Sequence, residues 1–209
     1  MRTLCYKYDK RQLVELPVLH FDGRIHVIQT EKEAVRAVAY LRTFERLGID
    51  TETRPTFKRG SMNMVSLLQV STYDTSFLFR LNMMGLPQCL VDLLTDERVL
   101  KVGLSLHDDW AQLHKRAQFQ PRAYVDLQEF VEPIGIGDRS LQKLFANFFG
   151  QKISKTQRLT NWDADVLTEA QKTYAAIDAW VCLLLYDEIG YLRQHPEEYM
   201  VVGDSDSQA

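Results

Sequence analysis

The feature that most constrains the fold of this chain is a pair of acids placed one residue apart at the end of an apolar segment. The segment Gly48-Ile-Asp-Thr-Glu52 reads as a buried β-strand that carries Asp50 and Glu52. Because side chains at positions i and i+2 of a strand project from the same face, we expect the two carboxylates to point the same way. Buried carboxylates are costly to ionise unless a cation compensates them. The segment therefore predicts a buried strand whose end can hold a cation.

A second pair of functional groups, Tyr174 and Asp178, lies in a segment whose apolar residues recur at helical intervals from Leu167 to Ile189. Residues four apart lie on one helix face about one turn apart. If this face meets the strand face, oxygen ligands converge in a way that favours Mg²⁺ or Mn²⁺ over Zn²⁺. Each pair alone has a simpler interpretation: the strand acids as a solvated turn, and the helix pair as a core tyrosine beside an exposed aspartate.

The remaining sequence alternates strand-like and helix-like segments. Strands are predicted at 23–28, 47–52, 64–71, 75–80, 99–104 and 123–127. Helices are predicted from a capping box at Thr30 and Glu33 to about Arg46, at 87–94, at 107–116, and at 141–149 with Ser140 as the N-cap. Asp126 is interpreted as a helix cap before Leu127. The three consecutive strands between 47 and 80 predict an antiparallel meander. Together, the predicted strands and helices indicate an α/β layered fold with a mixed sheet.

Composition limits the class of protein. The chain has 209 residues, 45% of them hydrophobic and 25% charged, which is typical of one soluble globular domain. Three separated cysteines support neither a disulfide framework nor a zinc site. No apolar run is long enough to span a membrane, and the first residues lack a signal-peptide core, so a cytoplasmic location is the default expectation.

The net charge of the chain says little about whether it binds nucleic acid. The net charge of −3 argues against a protein that coats nucleic acid through a strong overall field. A local basic groove is still compatible with this charge, although a solvated face is the simpler interpretation of every basic cluster. The clusters are Lys58-Arg59, His114-Lys115-Arg116, Arg122, and Lys152 with Lys155 and Arg158.

Together, these motifs resemble those of the DEDDy-type 3′→5′ exonucleases, in the ribonuclease D branch of the DnaQ-like family. The resemblance covers about residues 22 to 192 and rests on the segments 48–55, 65–71, 101–109 and 161–179. The chain is also similar to the exonuclease domain of the Werner syndrome helicase, notably through Lys58-Arg59-Gly60. The resemblance implies a ribonuclease H-like three-layer fold with a mixed central β-sheet flanked by helices. It implies an N-terminal arm at 1–21, an exonuclease domain at 22–192 and a C-terminal tail at 193–209.

The resemblance also implies a role for each catalytic position. Two divalent cations, Mg²⁺ or Mn²⁺, are held by four acids, with Asp50 bridging both ions. Tyr174 orients the attacking water, because an ordinary phenol with a pKa near 10 is a poor base at neutral pH. Position 173 is threonine, whereas the DEDDh relatives carry a histidine five residues before the last acid, so the tyrosine subclass is indicated. The four acids are Asp50, Glu52, Asp109 and Asp178.

The third acid requires a choice between Asp108 and Asp109. The family pattern places this acid directly before an aromatic or aliphatic residue at a helix start, here Trp110, so Asp109 is chosen. Asp108 is interpreted as a capping or exposed acid, since carboxylates are favourable in a first helical turn. Further candidates for contact with the terminal nucleotide or the strand backbone are Thr51, Thr53, Met64, Trp110, Arg158 and Trp162. Core packing is the simpler interpretation of the methionine and the two tryptophans.

The sequence thus predicts an enzyme that releases nucleoside 5′-monophosphates from the 3′ end of single-stranded or 3′-overhanging DNA or RNA. The main rival is a nonenzymatic nucleic-acid-binding or scaffolding module on the same fold, and a metal-dependent phosphatase or endonuclease is a further one. The choice between DNA and RNA stays open, because it depends on contacts to the 2′-hydroxyl. The chain ends soon after the last catalytic helix, so weak, salt-sensitive binding is expected.

Overall fold

A mixed six-stranded β-sheet forms the centre of the protein in a computed structural model, which describes residues 1–56 and 63–203. The strands are β1 (Arg2–Cys5), β2 (Arg24–Ile28), β3 (Arg46–Thr53), β4 (Val65–Ser71), β5 (Thr75–Arg80), β6 (Leu100–Gly103), β7 (Tyr124–Asp126) and β8 (Tyr199–Val202). The helices are α1 (Glu31–Leu41), α2 (Leu81–Met84), α3 (Gln88–Thr95), α4 (Leu106–Leu113), α5 (Leu127–Phe130), α6 (Leu141–Phe149) and α7 (Glu169–Gln194). Short 3₁₀ turns occupy Gln12–Val14, Glu132–Ile134 and Pro196–Glu198.

The central sheet has the strand order β2-β5-β4-β3-β6-β7. Strands β3, β4 and β5 pair antiparallel as the predicted meander, whereas β2 is parallel to β5, and β6 and β7 continue the sheet in parallel from β3. Every residue of β4 and β5 is buried. Both sheet faces are therefore covered at these strands, and their polar residues, such as Gln69 and Arg80, are buried together with the apolar ones. The predicted mixed sheet flanked by helices is confirmed.

Helices cover the sheet on both faces. Ala34, Ala37 and Val38 of α1 pack in one apolar cluster with Ile49 of β3. On the other face, a Cβ atom built on Gly48 would lie 1.9 Å from the carbonyl oxygen of Ala179 in α7. The glycine therefore lets the backbone of α7 rest directly against β3.

Helix α1 is shorter than expected. Its capping box is present, with the Thr30 hydroxyl accepting from the Glu33 amide, but the helix ends at Leu41 and not near Arg46. The segment after it is taken by the sheet, since Arg46 already pairs with Leu100 of β6. The hydrogen bonds of the sheet override the helical pattern of the sequence here. Residue Ser140 occupies the N-cap position of α6, yet its side chain makes no capping hydrogen bond.

Both ends of the chain pack on this body. β1 and β8 form a parallel two-stranded sheet, and Leu4 of β1 is buried. Ordered structure therefore reaches into both the predicted arm and the predicted tail, and α7 runs to Gln194, beyond the predicted Ile189. The last residues of the predicted tail, 204–209, lie outside the described residues, as do Lys58, Arg59 and Gly60.

Two absences apply to the described parts of the chain. The three cysteines are free, in line with the expectation of no disulfide. No helix within 1–56 and 63–203 is long and apolar enough to cross a membrane.

Candidate active site

The site forms where the end of β3 meets the middle of α7. Alternation along β3 places Asp50 and Glu52 on the face that carries Gly48, and this is the face against which α7 packs. Asp178 projects from α7 toward the same place. Each of the three acids offers a carboxylate oxygen within 4.8 Å of those of the others. The close approach at Gly48 is what allows carboxylates of two different elements to converge.

Asp109, in the first turn of α4, lines the same cleft but is not one of the three carboxylates whose oxygens lie within 4.8 Å of one another. Its carboxylate accepts a hydrogen bond from the hydroxyl of Thr51, which lies between the two acids of β3. The start of α4 is itself fixed from a neighbouring strand end, because the Asp126 carboxylate accepts from the backbone amides of Ser105 and Leu106 at 3.0 and 2.8 Å. Ser105 has a φ of 62°, a left-handed conformation that these contacts stabilise.

Asp108 behaves differently from its neighbour. It is exposed, and its carboxylate accepts from the Ser105 hydroxyl at 3.2 Å. Asp109, in contrast, is half-buried, and partial burial, followed by the charge of Asp50, raises the pKa of its carboxyl. Of the two adjacent acids, Asp109 is therefore the one that faces the carboxylate group, although both line the cleft.

Burial and mutual repulsion make this acidic group difficult to ionise. Burial, followed by the charge of Asp178, raises the pKa of Asp50 well above its usual value. The same causes, with Asp50 as the nearest charge, raise the pKa of Glu52 to about 10. Burial raises the pKa of Asp178 to about 7, against the opposing influence of Tyr174 and Lys155. Carboxylates that repel one another in a shielded cleft, with only oxygen donors, fit a hard divalent cation.

Tyr174 lies one helical turn before Asp178 on α7. Its ring packs in the apolar cluster with Trp162, at a centroid distance of 6.0 Å, and with Leu67. Burial, and then the charges of Asp178 and Glu52, raise the pKa of the Tyr174 phenol. The phenol is therefore neutral throughout the physiological pH range and acts as a hydrogen-bonding group.

Basic side chains line the opposite wall of the cleft, whose volume is about 420 Å³. Lys155 and Arg158 belong to the irregular segment between α6 and α7, and both are exposed at its surface. Arg139 lines the same cleft but is paired with Glu132 at 2.9 Å. A molecule with an acidic group thus meets carboxylates on one wall and cations on the other.

The remaining candidates for substrate contact are placed outside the cleft, except for Thr51 and Arg158, which line it. Trp110 is 6% exposed and packs against Phe119 and Tyr124, and Trp162 is fully buried. These two predicted contacts are wrong, because neither ring can present a face to a nucleotide. Met64 is 43% exposed but lines a separate depression beside Arg116. Thr53 lies at an irregularity in the β3–β4 pairing.

Two positioning contacts were not anticipated. Asp126 caps α5 as predicted, by accepting from the Gln128 amide, and the capping of α4 is a second task of the same carboxylate. The fully buried Arg80 donates to the backbone carbonyls of Ala164 and Asp165, which anchors the segment that carries Arg158. In the sequence, the only sign of the Arg80 contact was an arginine at the end of a strand. That position does not indicate which carbonyl groups Arg80 would bind.

Comparison with known proteins agrees with this geometry. A family model described as 3′-5′ exonuclease matches residues 25–192. The mouse bifunctional 3′-5′ exonuclease/ATP-dependent helicase WRN is 30% identical over 152 residues, which are 70% of this chain and 11% of that protein. The chain spans only 11% and 26% of the first two curated relatives that it matches.

Solved structures share the fold. The Nibbler EXO domain of Aedes aegypti superposes with a TM-score of 0.77 at 22% identity, covering 86% of this chain and 94% of that domain. Trypanosoma brucei RNase D in complex with RNA U12 gives a TM-score of 0.69 at 20% identity, with 90% and 76% of the two chains covered.

Proposed function

Because the chain belongs to the 3′-5′ exonuclease family, we propose that it hydrolyses phosphodiester bonds successively from the 3′ end of a nucleic acid. The observation that carries the proposal is the convergence of Asp50, Glu52 and Asp178, with oxygens within 4.8 Å of one another, in a cleft that also has a basic wall. Released products are nucleoside 5′-monophosphates.

The acids are proposed to hold two divalent cations, Mg²⁺ or Mn²⁺. Asp50, Glu52 and Asp178, whose carboxylate oxygens converge, would hold one cation, and Asp109, which lines the same cleft, would help to hold the other. When bound, the cations supply an activated water and compensate charge on the phosphoryl oxygens. Thr51 holds the Asp109 carboxylate in orientation through its hydrogen bond.

Other side chains act directly on water and substrate. The Tyr174 hydroxyl, which is neutral and fixed by its packing, is proposed to orient the attacking water by a hydrogen bond. Lys155 and Arg158 are proposed to bind phosphate oxygens of the strand. The proposal is supported by the presence of these two cations and the acids in the lining of one cleft.

The class of substrate follows from the same features. The trypanosomal RNase D of the same fold was crystallised with RNA, and nucleic acid is the proposed partner here. Both DNA and RNA enter the test, because the choice between them depends on contacts to the 2′-hydroxyl of the substrate. A binding module without activity is the alternative, and the presence of all five catalytic positions favours the enzyme.

The test is a gel assay on 5′-labelled DNA and RNA oligonucleotides with Mn²⁺, Mg²⁺ or EDTA. We expect a ladder that shortens from the 3′ end, depends on the metal, and is lost in Asp50→Asn and strongly reduced in Tyr174→Phe. Asp92→Asn is the matched control, since Asp92 is an exposed acid of α3, away from the cleft, whose carboxylate accepts a hydrogen bond from the Gln88 side chain. Intact oligonucleotides under every condition would favour the binding module.

A further inference from the structure

The N-terminal arm, residues 1–21, precedes the segment that the family model matches, yet it is attached beside the cleft at two places. The first attachment joins the Tyr8 amide to the buried Asp138 carboxylate at 2.6 Å. The second joins the arm to Lys152, whose backbone amide donates to Pro17 and whose carbonyl accepts from Leu19, both at 2.9 Å. The side chain of Lys152 donates to the Val14 carbonyl and is thereby committed to holding the arm.

Lys10 is exposed and lies in the chain between these two attachments, two residues after Tyr8, whose anchor Asp138 also binds Lys143 of α6. Partial burial, then the charge of Arg158 and, more weakly, those of Lys10 and Lys143, lower the pKa of Lys155, while Asp178 opposes them. The contacts agree with this proximity, because Asp138 binds both the Tyr8 amide of the arm and Lys143 of α6, and Lys155 reaches the Ser140 hydroxyl at the start of α6 at 3.5 Å. We call the cations Lys10, Lys143, Lys155 and Arg158 the basic rim.

Most of this charge is not neutralised within the described residues. Lys143 pairs with Asp138 at 3.3 Å, and Asp9 beside Lys10 is engaged by Arg11 at 2.7 Å. Within 1–56 and 63–203, Lys10, Lys155 and Arg158 form no ion pair; the nearest polar partner of Lys155 is the Ser140 hydroxyl at 3.5 Å. Neighbouring cations without acidic partners repel one another. Binding of a polyanion across them relieves this repulsion and is therefore favourable.

We propose that the arm is part of the nucleic-acid binding surface, with Lys10 extending the phosphate-binding wall of Lys155 and Arg158. The inference rests on the proposed function. A strand whose 3′ end occupies the acidic site has all its other phosphates on the 5′ side of the cleaved bond. Lys10 therefore contacts a phosphate upstream of the terminal nucleotide, and its contribution depends on the length of the substrate.

The test compares Lys10→Gln with Lys10→Arg and with Lys32→Gln, an exposed lysine of α1 on the other side of the sheet. Binding of a fluorescein-labelled single-stranded 12-mer is measured by anisotropy in EDTA between 50 and 200 mM salt. One lost phosphate contact lowers the slope of log affinity against log salt by about 0.7, which corresponds to roughly fivefold weaker binding at 0.1 M salt. Lys10→Arg and Lys32→Gln should match the wild type.

Kinetics separates this role from a structural one. Thymidine 5′-monophosphate p-nitrophenyl ester has no upstream phosphate, so Lys10→Gln should hydrolyse it normally while its KM for the 12-mer rises about fivefold. A Lys10→Gln protein indistinguishable from Lys32→Gln, or one that is impaired on both substrates, would overturn the inference. If the wild type cleaves neither substrate, the proposed function fails, and the salt slope still decides whether the arm binds nucleic acid.

Discussion

Substitution of Gly48 by alanine should damage stability and activity together. The new Cβ atom would lie 1.9 Å from the carbonyl oxygen of Ala179 and 2.9 Å from its carbonyl carbon, and both belong to the backbone of α7. An ordinary contact needs about 3.5 Å, so α7 and β3 must separate by roughly 1.5 Å. Overpacking of this kind costs about 1–3 kcal/mol, and the backbone contact places the expected loss near 3 kcal/mol.

The same displacement moves Asp178 away from Asp50 and Glu52, whose carboxylate oxygens lie within 4.8 Å of its own. A misplacement of about 1 Å can cost roughly 100-fold in rate, so kcat should fall by that order in the protein that remains folded. Both quantities are measured at one temperature, by urea denaturation and by initial rates on a 5′-labelled oligonucleotide.

Gly190→Ala is the matched control in the same helix, because its nearest neighbour would be a ring carbon of Phe130 at 3.9 Å. This substitution should stabilise α7 by about 0.5–1 kcal/mol and leave the rate unchanged. If Gly48→Ala keeps the stability and kcat of the wild type, the argument that a close strand–helix approach assembles the site is wrong.

Three further predictions concern the acids and their supports. Thr51→Val keeps the shape of the side chain but removes the donor to Asp109, so activity should fall about 10- to 100-fold. Thr51→Ser, which keeps the hydroxyl, should restore the activity. An unchanged rate in Thr51→Val would refute the positioning role of Thr51. Asp109→Asn should lose about 100-fold or more in kcat, and the adjacent Asp108→Asn should stay within a few-fold of the wild type; the reverse order would reassign the third acid. Burial raises the pKa of Glu52 to about 10 and that of Asp178 to about 7. In EDTA the folded protein therefore keeps protons that the unfolded chain releases near pH 4. The melting temperature of the metal-free protein should fall as the pH rises from about 5 to 9. Mn²⁺ should therefore raise the melting temperature more at pH 8 than at pH 6, and equal increments at both pH values would contradict the cation site.

The parts of the fold that follow from local periodicity were predictable. The two-residue spacing of Asp50 and Glu52 and the four-residue spacing of Tyr174 and Asp178 place each pair on one face of its element, and the structure shows those faces opposed. The meander and the capping box of α1 depend on neighbouring residues and were also predicted correctly.

Features that depend on distant partners were not predictable. The helical pattern after Leu41 is overridden by pairing with β6, which lies more than fifty residues away in the chain. Trp110 and Trp162 were candidates for substrate contact with core packing as the simpler interpretation, and only tertiary packing, which buries both rings, decides between the two. The second capping contact of Asp126 requires α4 to begin beside β7, and no spacing in the sequence indicates this.

The most direct test of the proposed metal-dependent exonuclease activity is to identify the first product released from a 3′-end-labelled oligonucleotide. The oligonucleotide is incubated with the wild type, Asp50→Asn or Asp92→Asn in Mn²⁺ or EDTA, and the products are separated by chromatography. We expect the wild type and Asp92→Asn to release a labelled nucleoside 5′-monophosphate in Mn²⁺ only, and Asp50→Asn to release none. A nucleoside 3′-monophosphate, a labelled internal fragment, or equal release in EDTA would contradict the assignment of the acidic site.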